Sequence, residues 1–175
     1  MKTSVALIGF MGTGKTTVGK MLAEKLGRQF IELDEVIENK AGKSIPDIFK
    51  QEGEIVFREL EIEVTKDIAG RKNVIIACGG GLILNKINVD RLKQECIVVY
   101  LTASLGVILK RTSNDAGKRP LLAVPDRSRQ IKELLKFRRP YYRNSADIIV
   151  NTSKMSINTV VHRIMEELQD NESFG

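Results

Sequence analysis

An α/β fold built on a parallel sheet is predicted by three observations. Short apolar runs alternate with segments of helical period along the chain. The first run leads through a glycine-rich turn into a helix-forming stretch, as strand–loop–helix units do. The 175 residues, 42% hydrophobic and 29% charged, suffice for one core without disulfides or a structural metal, so residues 1–175 read as one domain.

The elements follow in order. Val5-Ala6-Leu7-Ile8 is a continuous apolar run ending at Gly9, which suits a strand buried on both faces. Residues 15–26 carry Val18, Met21, Leu22 and Leu26 at helical spacing, and Gly27 is placed to end that helix. Phe30-Ile31-Glu32-Leu33-Asp34 reads as a second strand that ends in carboxylates. Ser44-Ile45-Pro46-Asp47 has the form of a capped helix start, and residues 54–69 are helical up to Gly70. Residues 73–78 form a third strand before Gly79-Gly80-Gly81. Ile97-Val98-Val99-Tyr100-Leu101 is a fourth, with Thr102 placed to cap the next helix. Residues 113–125 read as loop, with Asn114, Asp115, Gly117, Pro120 and Pro125. Residues 126–144 are helical, Ile148-Ile149-Val150 is a fifth strand, and Ser156 caps a final helix.

Composition narrows the setting. Cys78 and Cys96 are too few for a disulfide framework and lack metal-ligand spacing, so both read as buried strand residues. The longest uncharged apolar stretch, residues 96–109, is too short to span a membrane, and no signal-cleavage pattern follows the start. A cytoplasmic, membrane-free protein is expected. Eleven Lys/Arg face three carboxylates between residues 110 and 143, a local excess of +8 in a chain of net charge +6, which leaves −2 elsewhere. With 5% aromatics, no Trp and no recognition motif, this block does not read as a nucleic-acid surface. Arg127, Arg129, Lys132, Lys136 and Arg143 read as solvated helix-face charges, and His162 as a surface or packing residue.

The strongest local signal is Gly9-Phe10-Met11-Gly12-Thr13-Gly14-Lys15-Thr16, a full match to G-x-x-x-x-G-K-[ST] between a buried strand and a helix. Glycines there let successive backbone N–H groups turn inward onto phosphate oxygens, and the helix N-terminus adds partial positive charge. Lys15 is placed to reach the β- and γ-phosphates of a nucleoside triphosphate, and the Thr16 hydroxyl to ligate Mg²⁺. The dinucleotide pattern fails because Thr17 stands where a third small residue is required. The third strand ends Ile76-Ala77-Cys78-Gly79 without an acid, and no guanine-reading N-K-x-D occurs, unlike motor ATPases and GTPases. Glu32 and Asp34, two apart on the predicted second strand, would share one face and address one cleft. Arg58 lies three residues before Glu61 on a helix, close enough for the carboxylate to hold its guanidinium. A small-molecule kinase related to the nucleoside-monophosphate kinases is the class these features suggest.

At this level the sequence resembles the shikimate kinase family over nearly its whole length. The resemblance rests on Gly9-x-x-Gly12-x-Gly14-Lys15-Thr16-Thr17, Phe30-x-x-x-Asp34-x-x-Ile37-Glu38, Ile45-x-Asp47-Ile48-Phe49 and Gly53-Glu54-x-x-Phe57-Arg58-x-x-Glu61. The Gly79-Gly80-Gly81 run, Arg119-Pro120-Leu121-Leu122 and Arg138-x-Pro140-x-Tyr142 complete it. It implies a three-layer P-loop kinase fold with strand order 2-3-1-4-5, a mobile lid at about residues 113–125, and a monomer. It implies ATP-dependent, Mg²⁺-requiring phosphorylation of the 3-hydroxyl of shikimate, in aromatic amino-acid biosynthesis. Arg58, Arg138, Asp34 and Gly80 would bind the acceptor, with Asp34 taking the hydroxyl proton. Lys15 and Arg119 would stabilise the transferring group. Gly12, Thr13, Gly14, Lys15, Thr16, Thr17, Arg111 and Arg119 would bind ATP, with Arg111 over the adenine and the loop at residues 153–156 flanking its other side. Thr16 and Glu32 would hold the metal, Glu32 standing where the family usually has Asp. A gluconate-type polyol-acid kinase is the competing acceptor class, and an ATP-binding regulatory module without an acceptor the competing function.

Overall fold

The computed structural model describes residues 1–113 and 126–175. Arg119 and, apart from Ser113, the lid expected at about residues 113–125 lie outside the described residues. Five parallel strands, β1 (Ser4–Ile8), β2 (Gln29–Glu32), β3 (Val74–Ala77), β4 (Cys96–Thr102) and β5 (Ile148–Asn151), stand in the order β2-β3-β1-β4-β5. The helices are α1 (Lys15–Leu26), α2 (Leu33–Ala41), α3 (Ile45–Gln51), α4 (Gly53–Ala69), α5 (Lys86–Glu95), α6 (Leu105–Arg111), α7 (Arg127–Ser145) and α8 (Ile157–Gln169). A 3₁₀ turn spans Leu82–Leu84.

The pleat divides the core into two layers. Val5, Leu7, Ile97, Val99 and Leu101 face α1 and α8, where they meet Val18, Leu22, Val161 and Ile164. Ala6, Ile8, Ile76, Val98 and Tyr100 face the other way, onto Ile37, Ile48, Phe57, Val64, Ile108 and Tyr142. Burying each such aliphatic side chain contributes roughly 1.5–3 kcal/mol, and a strand covered on both faces collects this at every position. All of β1 is buried, with Val5 opposite Ile75 on one side and Ile97 on the other. The glycine-rich loop therefore springs from the firmest part of the sheet.

Two element readings are corrected. The second strand stops at Glu32, and Leu33 opens α2, so Asp34 sits in the first helical turn and not on a strand. Over five residues an alternating pattern also fits a helix. Leu33 and Ile37, four apart and both fully buried, settle the period at 3.6, and Asp34 and Glu35 suit the positive end of the helix. Thr102 stays within β4, and Ser104 caps α6 by accepting from the Val107 N–H. Helix α5, to which the sequence reading gave no element, has a sparse apolar stripe and starts where Asn85 accepts from the Ile87 N–H at 2.9 Å. The expected caps at Ser44 and Ser156 are formed.

Burial pushes both cysteine thiols up, Cys96 to about 12, so each is an uncharged core residue. His162 is exposed on α8. Arg129, Lys132, Lys136 and Arg143 are exposed as expected, but Arg127 is half-buried and donates to the Thr112 hydroxyl at 2.5 Å. No helix among the described residues is long and apolar enough to cross a membrane.

Candidate active site

Every site group the structure describes is carried by, or packs against, the carboxyl edge of the sheet, where ligands of open α/β sheets bind. The loop after β1 holds Gly12 and Gly14 at φ 76° and 94°, values open to glycine and strained for other residues. A Cβ on Gly12 would stand 2.7 Å from the Thr112 methyl. Gly14 leads into α1, whose first N–H groups line the cradle with their donors unused by the helix. The Lys15 ammonium donates to the Gly9 and Phe10 carbonyls at 2.8 and 3.0 Å, which keeps it over the mouth of the loop. Thr13 is buried and its hydroxyl closes the turn onto the Phe10 carbonyl at 2.8 Å. Thr17, in the first turn of α1, is exposed.

The Thr16 hydroxyl donates to Glu32 Oε2 at 2.6 Å. Burial pushes the Glu32 carboxyl above the usual range and the carboxylate of Asp34 adds to this, while the Thr16 hydrogen bond and Lys15 oppose it. A hydroxyl and a carboxylate meeting beside a triphosphate cradle are the hard oxygen donors that Mg²⁺ takes, and the longer Glu side chain reaches Thr16 directly.

The residues expected to hold an acceptor gather on Gly79-Gly80-Gly81, which follows β3. Each glycine lies against a different predicted residue. A Cβ on Gly79 would stand 2.9 Å from Asp34 Oδ1, one on Gly80 would stand 3.4 Å from Arg138 Nη1, and one on Gly81 would stand 2.6 Å from Arg58 Nη2. The run is thus a bare floor on which a carboxylate and two guanidinium groups from α2, α7 and α4 gather along three successive glycines. Beneath them Glu61, 1% exposed, accepts from Arg58 Nη1 at 2.9 Å, and Glu54 accepts from Nη2 at 3.4 Å. Burial drives the Glu61 carboxyl up and Arg58 pulls it back, so the pair hold each other in place. Gly81→Ala tests the floor. The atom struck is the mobile end of Arg58, so the backbone survives and the guanidinium moves. The acceptor KM should rise about tenfold with the ATP KM unchanged, as expected when one charge-assisted hydrogen bond is lost.

The residues expected around the nucleotide lie across β1, toward β4 and β5. Arg111, the last residue of α6, donates to the Gly12 carbonyl at 3.2 Å and to the Thr152 hydroxyl and carbonyl at 3.1 and 3.0 Å. The Thr152 hydroxyl is in turn 3.1 Å from the Thr13 carbonyl and 3.2 Å from that of Thr102. This buried threonine, which the sequence reading passed over, straps the phosphate loop to the ends of β4 and β5. Its position just past β5 on the parallel sheet's carboxyl edge was the available signal. Ser153 accepts from the Ser104 N–H at 2.8 Å, so that hydroxyl holds the loop at residues 153–156 to the start of α6.

A phosphate loop on a 2-3-1-4-5 sheet, beside a separate cluster of one carboxylate and two guanidinium groups, is the arrangement of a P-loop small-molecule kinase. The family model for shikimate kinase matches residues 11–169. The chain is 44% identical over 166 residues to the shikimate kinase of Thermodesulfovibrio yellowstonii, covering 95% of each, and 41% identical to that of Acinetobacter baumannii, covering 97% and 93%. Among solved structures, the Acinetobacter baumannii shikimate kinase in complex with shikimate superposes with a TM-score of 0.94 at 40% identity, covering 98% of this chain and 96% of that one. The Aquifex aeolicus shikimate kinase gives 0.84 at 38% identity, covering 98% and 99%. The chain belongs to the shikimate kinase family.

Proposed function

We propose that the pocket over Gly79-Gly80-Gly81 is where this chain holds shikimate, with Asp34 toward the 3-hydroxyl and Arg58 and Arg138 toward the carboxylate. The chain transfers the γ-phosphoryl group of ATP to shikimate, in aromatic amino-acid biosynthesis. One observation carries the reading of the site: a carboxylate and two guanidinium groups converge on three successive glycines beside the phosphate loop. Two fixed forks match a planar carboxylate, and the carboxylate of Asp34 matches an alcohol that must lose its proton. Residues 1–175 act as one catalytic domain, and as a monomer.

Asp34 orients the hydroxyl and takes its proton as the oxygen attacks. Backbone N–H groups of Gly12, Thr13 and Gly14, with those of Lys15, Thr16 and Thr17 at the start of α1, hold the phosphates. Phosphate oxygens replace the Gly9 and Phe10 carbonyls as partners of the Lys15 ammonium, which then offsets charge spreading over the transferred group. Arg119 adds a second positive charge there, and Arg111, held on Thr152, lies along the adenine. Thr16 and Glu32 would hold Mg²⁺, which when bound neutralises charge on the β- and γ-phosphate oxygens. Glu32→Gln should therefore raise the Mg²⁺ concentration for half-maximal rate by about tenfold or more, read by metal titration at saturating ATP.

A coupled ADP-release assay tests the reaction with shikimate, with gluconate and with no acceptor. Release dependent on shikimate alone is expected. Equal rates with gluconate would move the chain to the polyol-acid kinases, and acceptor-independent release would leave only an ATPase module.

A further inference from the structure

We infer that Tyr142 is a positioning residue for the acceptor, tying the Arg138 guanidinium and the Gly80 peptide into one unit through its hydroxyl. The inference rests on the reading of Arg138 and Gly80 as shikimate partners and extends it to a residue that touches neither substrate nor nucleotide.

Tyr142 lies four residues after Arg138 on α7, one helical turn on, so both side chains lie along the same side of the helix. Its side chain is completely buried and its ring stacks on Tyr100 of β4, centroids 5.0 Å apart and planes 20° from parallel. The hydroxyl donates to the Gly80 carbonyl at 2.5 Å. The Arg138 guanidinium stands over the same glycine, and its charge acts on the phenol. The hydroxyl thus holds the glycine floor directly beside the guanidinium. A Cβ on Gly80 would sit 3.4 Å from Arg138 Nη1 and 3.6 Å from the Tyr142 hydroxyl, which places the two side chains over that one peptide.

The chemistry suits a fixed link. Burial drives the phenol well above its ordinary range, so it is a protonated donor throughout the working pH range. Gly80 has no side chain to limit its backbone, and a hydrogen bond to its carbonyl is what confines the peptide plane. Arg138 is 4% exposed, its Nε has no hydrogen-bond partner among the described residues, and the Phe10 ring lies 6.0 Å from its guanidinium, so a fixed hydroxyl beside it helps to set its orientation. Stacking on Tyr100 anchors the phenol to the sheet, so the acceptor fork is referred back to β4 and not only to its own helix.

Tyr142→Phe removes the oxygen and leaves the stacked ring, and Arg138→Lys keeps the charge but loses the fork. Steady-state kinetics and thermal melting on Y142F, R138K and the double variant test the link. For Y142F the shikimate KM should rise about tenfold while the ATP KM stays within about twofold, the loss expected for a hydrogen bond to a charged group. In the R138K background the same substitution should change the shikimate KM by less than about threefold, because coupled residues do not add. A folded Y142F with normal shikimate KM, or one in which both KM values rise together, overturns the inference. If Y142F does not fold, Tyr142→His takes its place, and full additivity of its effect with that of Arg138→Lys overturns the link. If R138K alone leaves the shikimate KM unchanged, the placement of Arg138 at the acceptor fails, and this inference fails with it.

Discussion

Asp34→Asn should lower kcat by about 10² or more while leaving both KM values within about threefold. Asparagine keeps the size of the side chain and one carbonyl oxygen, so it can still face the hydroxyl, but it cannot accept its proton. The surroundings argue that the folded structure tolerates the change. Asp34 sits in the first turn of α2 against Gly79, close enough to Glu32 and Glu61 that its charge acts on both carboxyls. Neutralising it relieves repulsion toward Glu32 and Glu61 but gives up a charge at the positive end of α2, so thermal stability should change little. Steady-state ADP release together with a melting curve separates the two effects. Near-normal turnover in a folded D34N enzyme would remove Asp34 as the base.

Arg138→Ala should raise the shikimate KM by about a hundredfold, with ATP binding in the absence of acceptor unchanged, as two charge-assisted hydrogen bonds lost together would require. Arg138 is buried on α7 beside Gly80, Tyr142 and the Phe10 ring, and it is not a partner in the hydrogen bonds that hold the Lys15 ammonium and the Arg111 guanidinium. Its removal also takes from Glu61 one of the two guanidinium groups that keep its carboxyl from rising further, so the Arg58–Glu61 pair should loosen. The acceptor side should therefore lose more than one partner. Isothermal titration with ATP alone and with shikimate alone distinguishes this from a general loss of folding.

The parts that were readable in the sequence share a physical property. The phosphate loop, α1, Ser44 and Ser156 are specified by contacts within a few residues, and each stands where its local chemistry places it. Arg58 and Glu61, three apart on α4, belong to the same group. The boundary between β2 and α2 was misread because five residues fit two periods, and only the burial of Leu33 and Ile37 against the rest of the core chooses between them. Arg127 was misread as solvated because its partner, Thr112, lies fifteen residues away.

Taken alone, the sequence determined an α/β kinase with a triphosphate cradle, since strand, helix and loop periods are local and the motif residues carry their own chemistry. Tertiary structure alone decided that Gly79, Gly80 and Gly81 each receive a different side chain, that Thr152 straps the phosphate loop to β4 and β5, and that the Tyr142 hydroxyl meets the Gly80 carbonyl beside Arg138. Apart from Arg138 and Tyr142, neighbours on α7, those contacts link residues 23 to 139 positions apart, and no local period records which distant segments a parallel sheet brings to one edge.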